Sequence, residues 1–186
     1  LIVSIFIFSG VNGQKIDSLM SLLPNSKGIE KIEIYNELAF LTNKIEPAKS
    51  IDWSYKSLAL SKKQHHDKGL FDAYTNLGIV YINLGKYDSS VVFLNHALVK
   101  AKKLNDEVLK ASTFHNLSSN YIAMGDYTLA LNYLTQAATI FEKEHNQQKF
   151  AKTCINLGDL YQKIGDKKSA EKFLLKAIKI AEDSKD

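Results

Sequence analysis

Residues 74–101 read YTNLGIVYINLGKYDSSVVFLNHALVKA, and this stretch decides the fold because its pattern recurs twice more at a constant interval. Asn76, Leu77 and Gly78 return at 116–118, with serine in place of the glycine, and again at 156–158. The same interval relates five further positions: Tyr81, Tyr121 and Tyr161; Gly85, Gly125 and Gly165; Phe93, Tyr133 and Phe173; Leu94, Leu134 and Leu174; Ala97, Ala137 and Ala177. Chance does not align so many positions, so the chain is an array of repeated units.

Each unit is predicted to consist of two amphipathic helices. Apolar and small residues follow helical spacing in both halves, at positions 74, 77, 78, 81 and 84 and then at 91, 94, 97, 98 and 101. The glycine between the halves, such as Gly125, stands where the end of a helix needs a left-handed residue. Asp126 and Asp166 follow as candidate N-caps of the second helix, whereas Lys86 has no capping side chain.

Gly78 and Gly158 fall in the middle of a predicted helix, where glycine costs about 1 kcal/mol relative to alanine. Ser118 occupies the equivalent position, which indicates that a small residue is needed there. We therefore expect the two helices of a unit to cross closely at this point. The repeated aromatic residues are expected to fill the layers between units: Tyr81, Tyr121, Tyr161, Phe93, Tyr133 and Phe173.

A weaker unit precedes these three. Tyr35, Leu38 and Ala39 correspond to Tyr74, Leu77 and Gly78, but the spacing between the two sets is one residue shorter than the spacing between later units. Trp53 precedes Phe93 by the full spacing. The difference predicts that one residue is missing from the turn between the helices of this unit. Its second helix has a proline that suits the first helical position and serines where later units are mostly apolar: Pro47, Ser50, Ser54 and Ser57. A terminal repeat is expected to be atypical in this way.

The order of residues in each unit is an aromatic residue, Leu, a small residue, Tyr and Gly, followed by Ala or Ser, an aromatic residue, Leu and Ala. This order resembles the tetratricopeptide repeat, over residues 28–186. The resemblance implies an all-α fold, a right-handed α-solenoid of stacked antiparallel helix pairs. The usual period of the family is about 34 residues; the longer period is similar to that of kinesin light chain-like variants, and the proline that often closes a repeat is absent. Four repeats are predicted, the first degenerate and the last truncated: 28–67, 68–107, 108–147 and 148–186.

The N-terminal segment has a different character. Residues 1–9, LIVSIFIFS, are an apolar run followed by GVNGQ, which resembles the end of a signal peptide cleaved after Gly13. Residues 1–13 are therefore interpreted as a signal-peptide remnant, with a buried strand or core helix, or a membrane anchor, as alternatives. The signal interpretation predicts an exported protein, periplasmic or extracytoplasmic. Residues 14–27 contain an amphipathic stretch at 15–23, ended by proline, which predicts a capping helix; a disordered linker is the alternative.

Composition excludes several classes of function. All 24 basic residues are lysine, spread along the chain, and the net charge is only +4. Since recognition of guanine and phosphate is chiefly the work of arginine, nucleic-acid binding by this segment is not expected. The single cysteine, Cys154, excludes an internal disulfide framework and a multi-cysteine zinc site, and it occupies a position filled elsewhere by Tyr74 and Phe114. We therefore interpret it as a small buried apolar residue.

The resemblance to the repeat family places a binding groove on the concave face, which the first helix of each unit lines. Asn76, Asn116 and Asn156 would form a ladder there, able to hold the backbone amides of a peptide; the alternative is that they bond within the scaffold. The same resemblance implies ten neighbouring groove positions: Thr75, Ile79, Ile82, His115, Ser119, Ile122, Lys152, Ile155, Asp159 and Gln162. This mixture of polar and aliphatic residues suits a protein or peptide partner. A site for a C-terminal carboxylate, as in chaperone-binding members, is not favoured because only Lys152 and the asparagines match.

Catalytic and metal-binding patterns were not found. His65, His66 and Asp67 are adjacent, and neighbouring side chains diverge on a helix, so they are interpreted as solvated loop residues rather than metal ligands. No phosphate-binding glycine loop, carboxylate dyad or serine elbow occurs. The sequence therefore predicts no enzyme, no metal and no cofactor.

Two functions remain. The first is a non-enzymatic module that binds a peptide or protein segment in the groove. The alternative is the extracytoplasmic sensor domain of a longer signalling protein, such as a membrane histidine kinase or a helix-turn-helix transcriptional regulator. Association with a membrane would come only through a helix beyond Asp186 or through an uncleaved signal anchor.

Overall fold

The structure, a computed structural model, describes residues 13–183, and every regular element in that range is an α-helix. After α1 (residues 13–22) come α2 (Gly28–Thr42), α3 (Pro47–Lys63), α4 (Asp67–Asn83), α5 (Tyr87–Lys103), α6 (Glu107–Met124), α7 (Tyr127–Lys143), α8 (Gln147–Lys163) and α9 (Lys167–Asp183). Helices α2 to α9 form four antiparallel pairs, and each pair packs on the next. The predicted all-α solenoid is confirmed.

Helix α1 lies in the segment where the amphipathic stretch predicts a helix. It is tied to the first pair by an ion pair between Lys15 and Glu37 and by a hydrogen bond from the Lys31 ammonium to the Leu23 carbonyl. The predicted signal-peptide remnant lies outside the described residues except for Gly13. None of the helices described is both long and apolar enough to span a membrane.

The turns inside the units follow the prediction from glycine and aspartate. Gly85, Gly125 and Gly165 have φ of +69°, +80° and +86°, the left-handed region that glycine adopts without strain. Asp126 and Asp166 each cap the following helix, since the carboxylate oxygen accepts a backbone N–H at 3.0 Å. The helix after Lys86 has no side-chain cap, as its sequence predicts.

The turns between units repeat the same geometry without glycine. His65, Asn105 and His145 have φ of 52° to 53°, and the residue after each donates its N–H to a carbonyl five residues earlier. These are the bonds of a Schellman ending, which closes a helix whose last carbonyls would otherwise lack partners. The missing proline therefore does not loosen the junctions between repeats.

The interpretation of His65, His66 and Asp67 as solvated loop residues is correct for His65 only, which lies exposed in the turn. His66 and Asp67 are half-buried and have partners. The His66 Nδ1 accepts the Gly69 N–H at 3.1 Å and caps α4, and Asp67 pairs with Lys100 and Lys103 at 2.9 and 2.7 Å. Hydrogen bonds from these two lysines, that from Lys103 first, lower the pKa of Asp67 to about 2. Asp67 thus joins the start of α4 to the end of α5.

The first pair differs from the other three in the length of its first helix and in the length of its turn. Helix α2 has 15 residues against 17 in α4, and the connection to α3 has four residues where the later pairs have two or three. The prediction of a residue missing from the turn is therefore wrong, because the shortening falls in α2. Pro47 is the first residue of α3, as predicted. The serines of α3 are fully buried, and Ser50 donates to the Ala39 carbonyl at 2.7 Å.

Close helix crossing is confirmed at both mid-helix glycines. A Cβ atom on Gly78 would lie 2.6 Å from Leu94, and one on Gly158 would lie 2.6 Å from Leu174. Both distances are far inside van der Waals contact, so the paired helices approach as closely as glycine permits. Ser118, buried at the equivalent position, donates its hydroxyl to the His115 carbonyl at 2.7 Å.

The core is a column of leucine and alanine with aromatic pairs beside it. Leu77, Leu117 and Leu157 of the first helices are completely buried, as are Leu94 and Leu134 of the second helices. The repeated aromatic residues stack in pairs with ring centroids 5.4 to 5.6 Å apart: Tyr81 on Phe93, Tyr121 on Tyr133, and Tyr161 on Phe173. Each pair joins the two helices of one unit. Contact between units is also present, because the Phe93 ring lies edge-on to Tyr55 of the preceding pair with centroids 6.5 Å apart. The prediction that these rings lie between units therefore holds at Phe93, but it did not include their stacking within each unit.

Replacement of Asp126 with alanine is expected to lower the free energy of unfolding by about 1 kcal/mol, because the Leu129 N–H at the start of α7 loses its acceptor. Urea denaturation followed by circular dichroism measures the change. Asp126→Asn is the matched control and should stay close to the wild type, since Asn146 caps α8 in the same way. Equal losses for both variants would show that the charge, not the cap, is what matters.

Candidate functional site

The first helices of the units share one face of the array. Helix α2 contacts α4, and α4 contacts α6, whereas no two second helices in the described range make a comparable contact. The first helices therefore lie closer together and form the concave side. We call the exposed surface of α2, α4, α6 and α8 the inner face.

Three depressions lie on the inner face. The first, between α2 and α4, is lined by Glu33, Asn36, Glu37, Phe40, Lys68, Asp72, Thr75, Asn76 and Ile79. The second, at the first halves of α6 and α8, is lined by Ser112, His115, Asn116, Phe141, Lys149 and Lys152. The third, at their second halves, is lined by Ser119, Ile122, Asn156, Asp159, Leu160, Gln162 and Lys163.

The three repeated asparagines differ in their surroundings. Asn76 is buried, and its Nδ2 donates to the Asn36 carbonyl across the α2–α4 junction at 2.9 Å. The Nδ2 of Asn156 donates to the Nε2 of His115 at 3.0 Å. Asn116 is half-buried in the second depression, and its side chain has no hydrogen-bond partner within the described structure. Two of these side chains thus form hydrogen bonds between repeats. Of the three, only Asn116 has both its amide donor and its amide acceptor available to a ligand.

A polar network around His115 joins α6 to α8. The Nδ1 of His115 lies 3.2 Å from the Thr153 hydroxyl, which donates to the Lys149 carbonyl at 2.8 Å. Because the threonine proton is used there, His115 must donate from Nδ1, and its Nε2 is the acceptor for Asn156. This arrangement needs a neutral imidazole.

The environment of His115 opposes its protonation. Burial, and then the charges of Lys152 and Lys149, lower the pKa of His115 to about 4. Burial also lowers the pKa of Lys149, whose ammonium donates to the Ser112 hydroxyl at 2.8 Å. The second depression is therefore cationic, with two lysines beside a neutral histidine.

The other predicted groove residues fall into four sets. Thr75 and Ile79 line the first depression, and the third is lined by Ser119, Ile122, Asp159 and Gln162. Ile155 and Lys152 are exposed on α8. Ile82 packs against the core and lines none of the three depressions.

Sequence reasoning missed most of the first depression. Glu33, Asp72 and Ser112 occupy the same position in their repeats as Lys152 does in the last one. The signal was therefore present in the repeat itself.

Comparison with known proteins agrees with this geometry. The family model described as tetratricopeptide repeat matches residues 70–143 and again residues 109–183. The chain belongs to the tetratricopeptide repeat family. Among curated proteins, none matches this tetratricopeptide repeat (TPR) chain in sequence.

Several solved structures share the TPR fold at low sequence identity. A Rap protein complexed with competence and sporulation factor has a TM-score of 0.88 and 22% identity, over 97% of this chain and 52% of the Rap chain. The Rap conjugation gene regulator of plasmid pLS20, in complex with the Phr* peptide, has a TM-score of 0.79 and 18% identity, over 96% of this chain and 52% of its own. BtubC from P. vanneervenii has a TM-score of 0.78 and 20% identity, over 100% of this chain and 81% of the BtubC chain. This TPR chain thus spans about half the length of the two Rap proteins.

Reactive side chains do not gather on the inner face of this TPR array. Cys154 is completely buried, as predicted, and burial raises the pKa of its thiol. In the described range, no cluster of three or more His, Cys, Asp or Glu residues has metal-binding geometry. What the inner face offers is hydrogen-bonding groups, lysines and exposed apolar side chains.

Proposed function

We propose that this TPR segment is a non-enzymatic protein-interaction module that holds a peptide or protein segment along its inner face. The observation that carries the proposal is the row of three depressions on the first helices, where side chains remain unpaired. Asn116 offers both a donor and an acceptor to a peptide backbone. Ile155, 46% exposed, and Phe40, 54% exposed, offer apolar contacts.

Two features argue against catalysis. A general base must be free to exchange a proton near neutral pH, whereas His115 uses both ring nitrogens in hydrogen bonds and has its pKa held at about 4. A nucleophilic cysteine must be accessible and have a lowered pKa, whereas Cys154 is buried and its pKa is raised. The proposal therefore assigns binding, and no reaction, to this segment.

The similar structures support a peptide as the class of ligand. Two of them are complexes of Rap proteins, one with competence and sporulation factor and one with the Phr* peptide. For the present chain, a peptide-binding inner face would serve a free-standing adaptor or the input domain of a longer signalling protein equally well. Export, with the partner outside the cytoplasm, belongs to the same proposal.

Replacement of Asn116 with alanine tests the groove. Peptides selected from a random phage-displayed library against the full chain should bind Asn116→Ala about 1 to 3 kcal/mol more weakly, because their backbone groups lose a hydrogen-bonding partner. Fluorescence anisotropy of the synthetic peptides measures the change, and circular dichroism should show an intact helical fold.

The matched control is Asn95→Ala, the same chemical change at an exposed position of α5, a second helix. It should leave binding unchanged. Peptides that bind both variants as tightly as the wild type would place the site away from the inner face. A selection that yields no binding peptides would contradict the proposed function altogether.

A further inference from the structure

Charge changes sign along the inner face. At the repeat position of Lys152, the four units carry Glu33 in α2, Asp72 in α4, Ser112 in α6 and Lys152 in α8. The first depression therefore has carboxylates at the position where the second has a hydroxyl and an ammonium. A peptide that lies along all four first helices would meet opposite fields at its two ends.

The carboxylates of the first depression are only partly neutralised. Lys68 pairs with Asp72 at 2.5 Å, and Lys15 pairs with Glu37. Glu33 has no ion pair with any residue that the structure describes. Burial raises the pKa of Asp72 although Lys68 opposes the shift, and the charge of Glu33 adds a smaller effect in the same direction as burial. A cation placed between Glu33 and Asp72 would relieve this repulsion.

A second, independent feature of this depression is its unused acceptors. Asn36 lines it with only 8% of its surface exposed, and its Oδ1 is buried without a hydrogen-bond partner. The Thr75 hydroxyl, which lines the same depression from α4, is likewise buried and unpartnered. Because a buried polar atom without a partner costs free energy, a ligand that supplies donors at this place would be stabilised.

The depression also has apolar walls. The Phe40 ring is 54% exposed and Ile79 is half-buried on the opposite helix. Such walls suit the aliphatic stem of a long basic side chain, whose charged head then reaches the polar groups beyond. An aromatic face also attracts an ammonium or guanidinium group directly.

We propose that the first depression is a binding subsite for a basic side chain, lysine or arginine, of a peptide held on the inner face. Glu33 and Asp72 flank its charged head, Asn36 and Thr75 accept its hydrogen bonds, and Phe40 and Ile79 hold its stem. This subsite rests on the proposed function, since it binds one side chain of a peptide held along the same face. It assigns the α2–α4 end of the groove to the basic part of that ligand.

The test is a double-mutant cycle with library-selected peptides that depend on Asn116. Such peptides should share a lysine or arginine at a fixed position, and its replacement with glutamine should weaken binding to the wild type about three- to fivefold, as for a partly exposed ion pair. On the protein variant Glu33→Gln with Asp72→Asn, the same peptide change should have almost no effect. Glu30→Gln, which removes one carboxylate of α2 outside the depression, should keep the full effect.

The outcomes separate the two proposals. Peptides that depend on Asn116 but share no basic residue, or whose basic residue matters equally on the Glu33 and Asp72 variant, would overturn the subsite and leave the proposed function standing. Binding that does not depend on Asn116 would overturn both. A basic residue whose effect also disappears with Glu30→Gln would show attraction by the net charge of α2 only, and would overturn the subsite.

Discussion

Replacement of Leu134 with alanine is expected to lower the free energy of unfolding by about 3 kcal/mol or more, the usual cost of truncating a fully buried leucine. Leu134 has no exposed surface and belongs to the large core cluster that joins α6, α7 and α8. It also occupies the repeat position of Leu94, which lies against Gly78 at the close helix crossing. Because this core cluster is close-packed, a cavity left by the truncation cannot readily collapse. Urea denaturation measures the change.

The matched control for this prediction is Leu175→Ala. Leu175 lies on α9, a second helix like α7, but is 58% exposed, so its truncation should change stability by about 0.5 kcal/mol or less. Similar losses for Leu134→Ala and Leu175→Ala would contradict the assignment of the core. Since each repeat contacts its neighbours, the loss at Leu134 should weaken the third pair and its junctions together, and the transition should remain cooperative.

The fold was predictable because its information is local and repeated. A helix of 17 residues with leucine and alanine on one face, a left-handed glycine and a capping aspartate is specified within one unit, and Gly125 with Asp126 shows this directly. Three copies of each signal remove most of the ambiguity of a single segment. The junctions at His65 and Asn105 were harder, because neither residue is a strong signal for a left-handed turn.

The site was less predictable because its bonds join different repeats. The hydrogen bonds from Asn76 to the Asn36 carbonyl and from Asn156 to His115 depend on the axial offset between neighbouring units. A repeat pattern determines which face of the helix a residue lies on, but it does not determine this offset. The repeat pattern likewise identifies the aromatic residues but does not show that a pair such as Tyr121 and Tyr133 stacks within one unit.

His115 is expected to make the stability of the protein depend on pH between about 6.5 and 4. Its folded pKa of about 4 lies below the ordinary value of about 6.5, so the unfolded chain binds this proton more readily. The stability that the neutral ring contributes is thus complete above about pH 6.5 and is lost as the pH falls toward 4. Between pH 7 and pH 4.5 the loss should be about 2 to 3 kcal/mol.

The variant His115→Gln isolates this contribution, because it removes this ring and leaves every other ionisable group in place. Urea denaturation at several pH values should give a steeper decline for the wild type than for the variant. Parallel declines would contradict a neutral, buried His115. A direct NMR titration of the ring should then give a pKa near the ordinary value.

Protonation of His115 would also reorganise the second and third depressions. A protonated Nε2 is a donor and cannot accept the Asn156 amide, so that amide would have to turn its oxygen toward the ring. The charges of Lys149 and Lys152 oppose the added proton from the other side. If the peptide lies across these residues, its affinity should fall in the wild type over the same pH range in which stability falls. In His115→Gln, whose amide can accept the Asn156 N–H without titrating, the affinity should change much less.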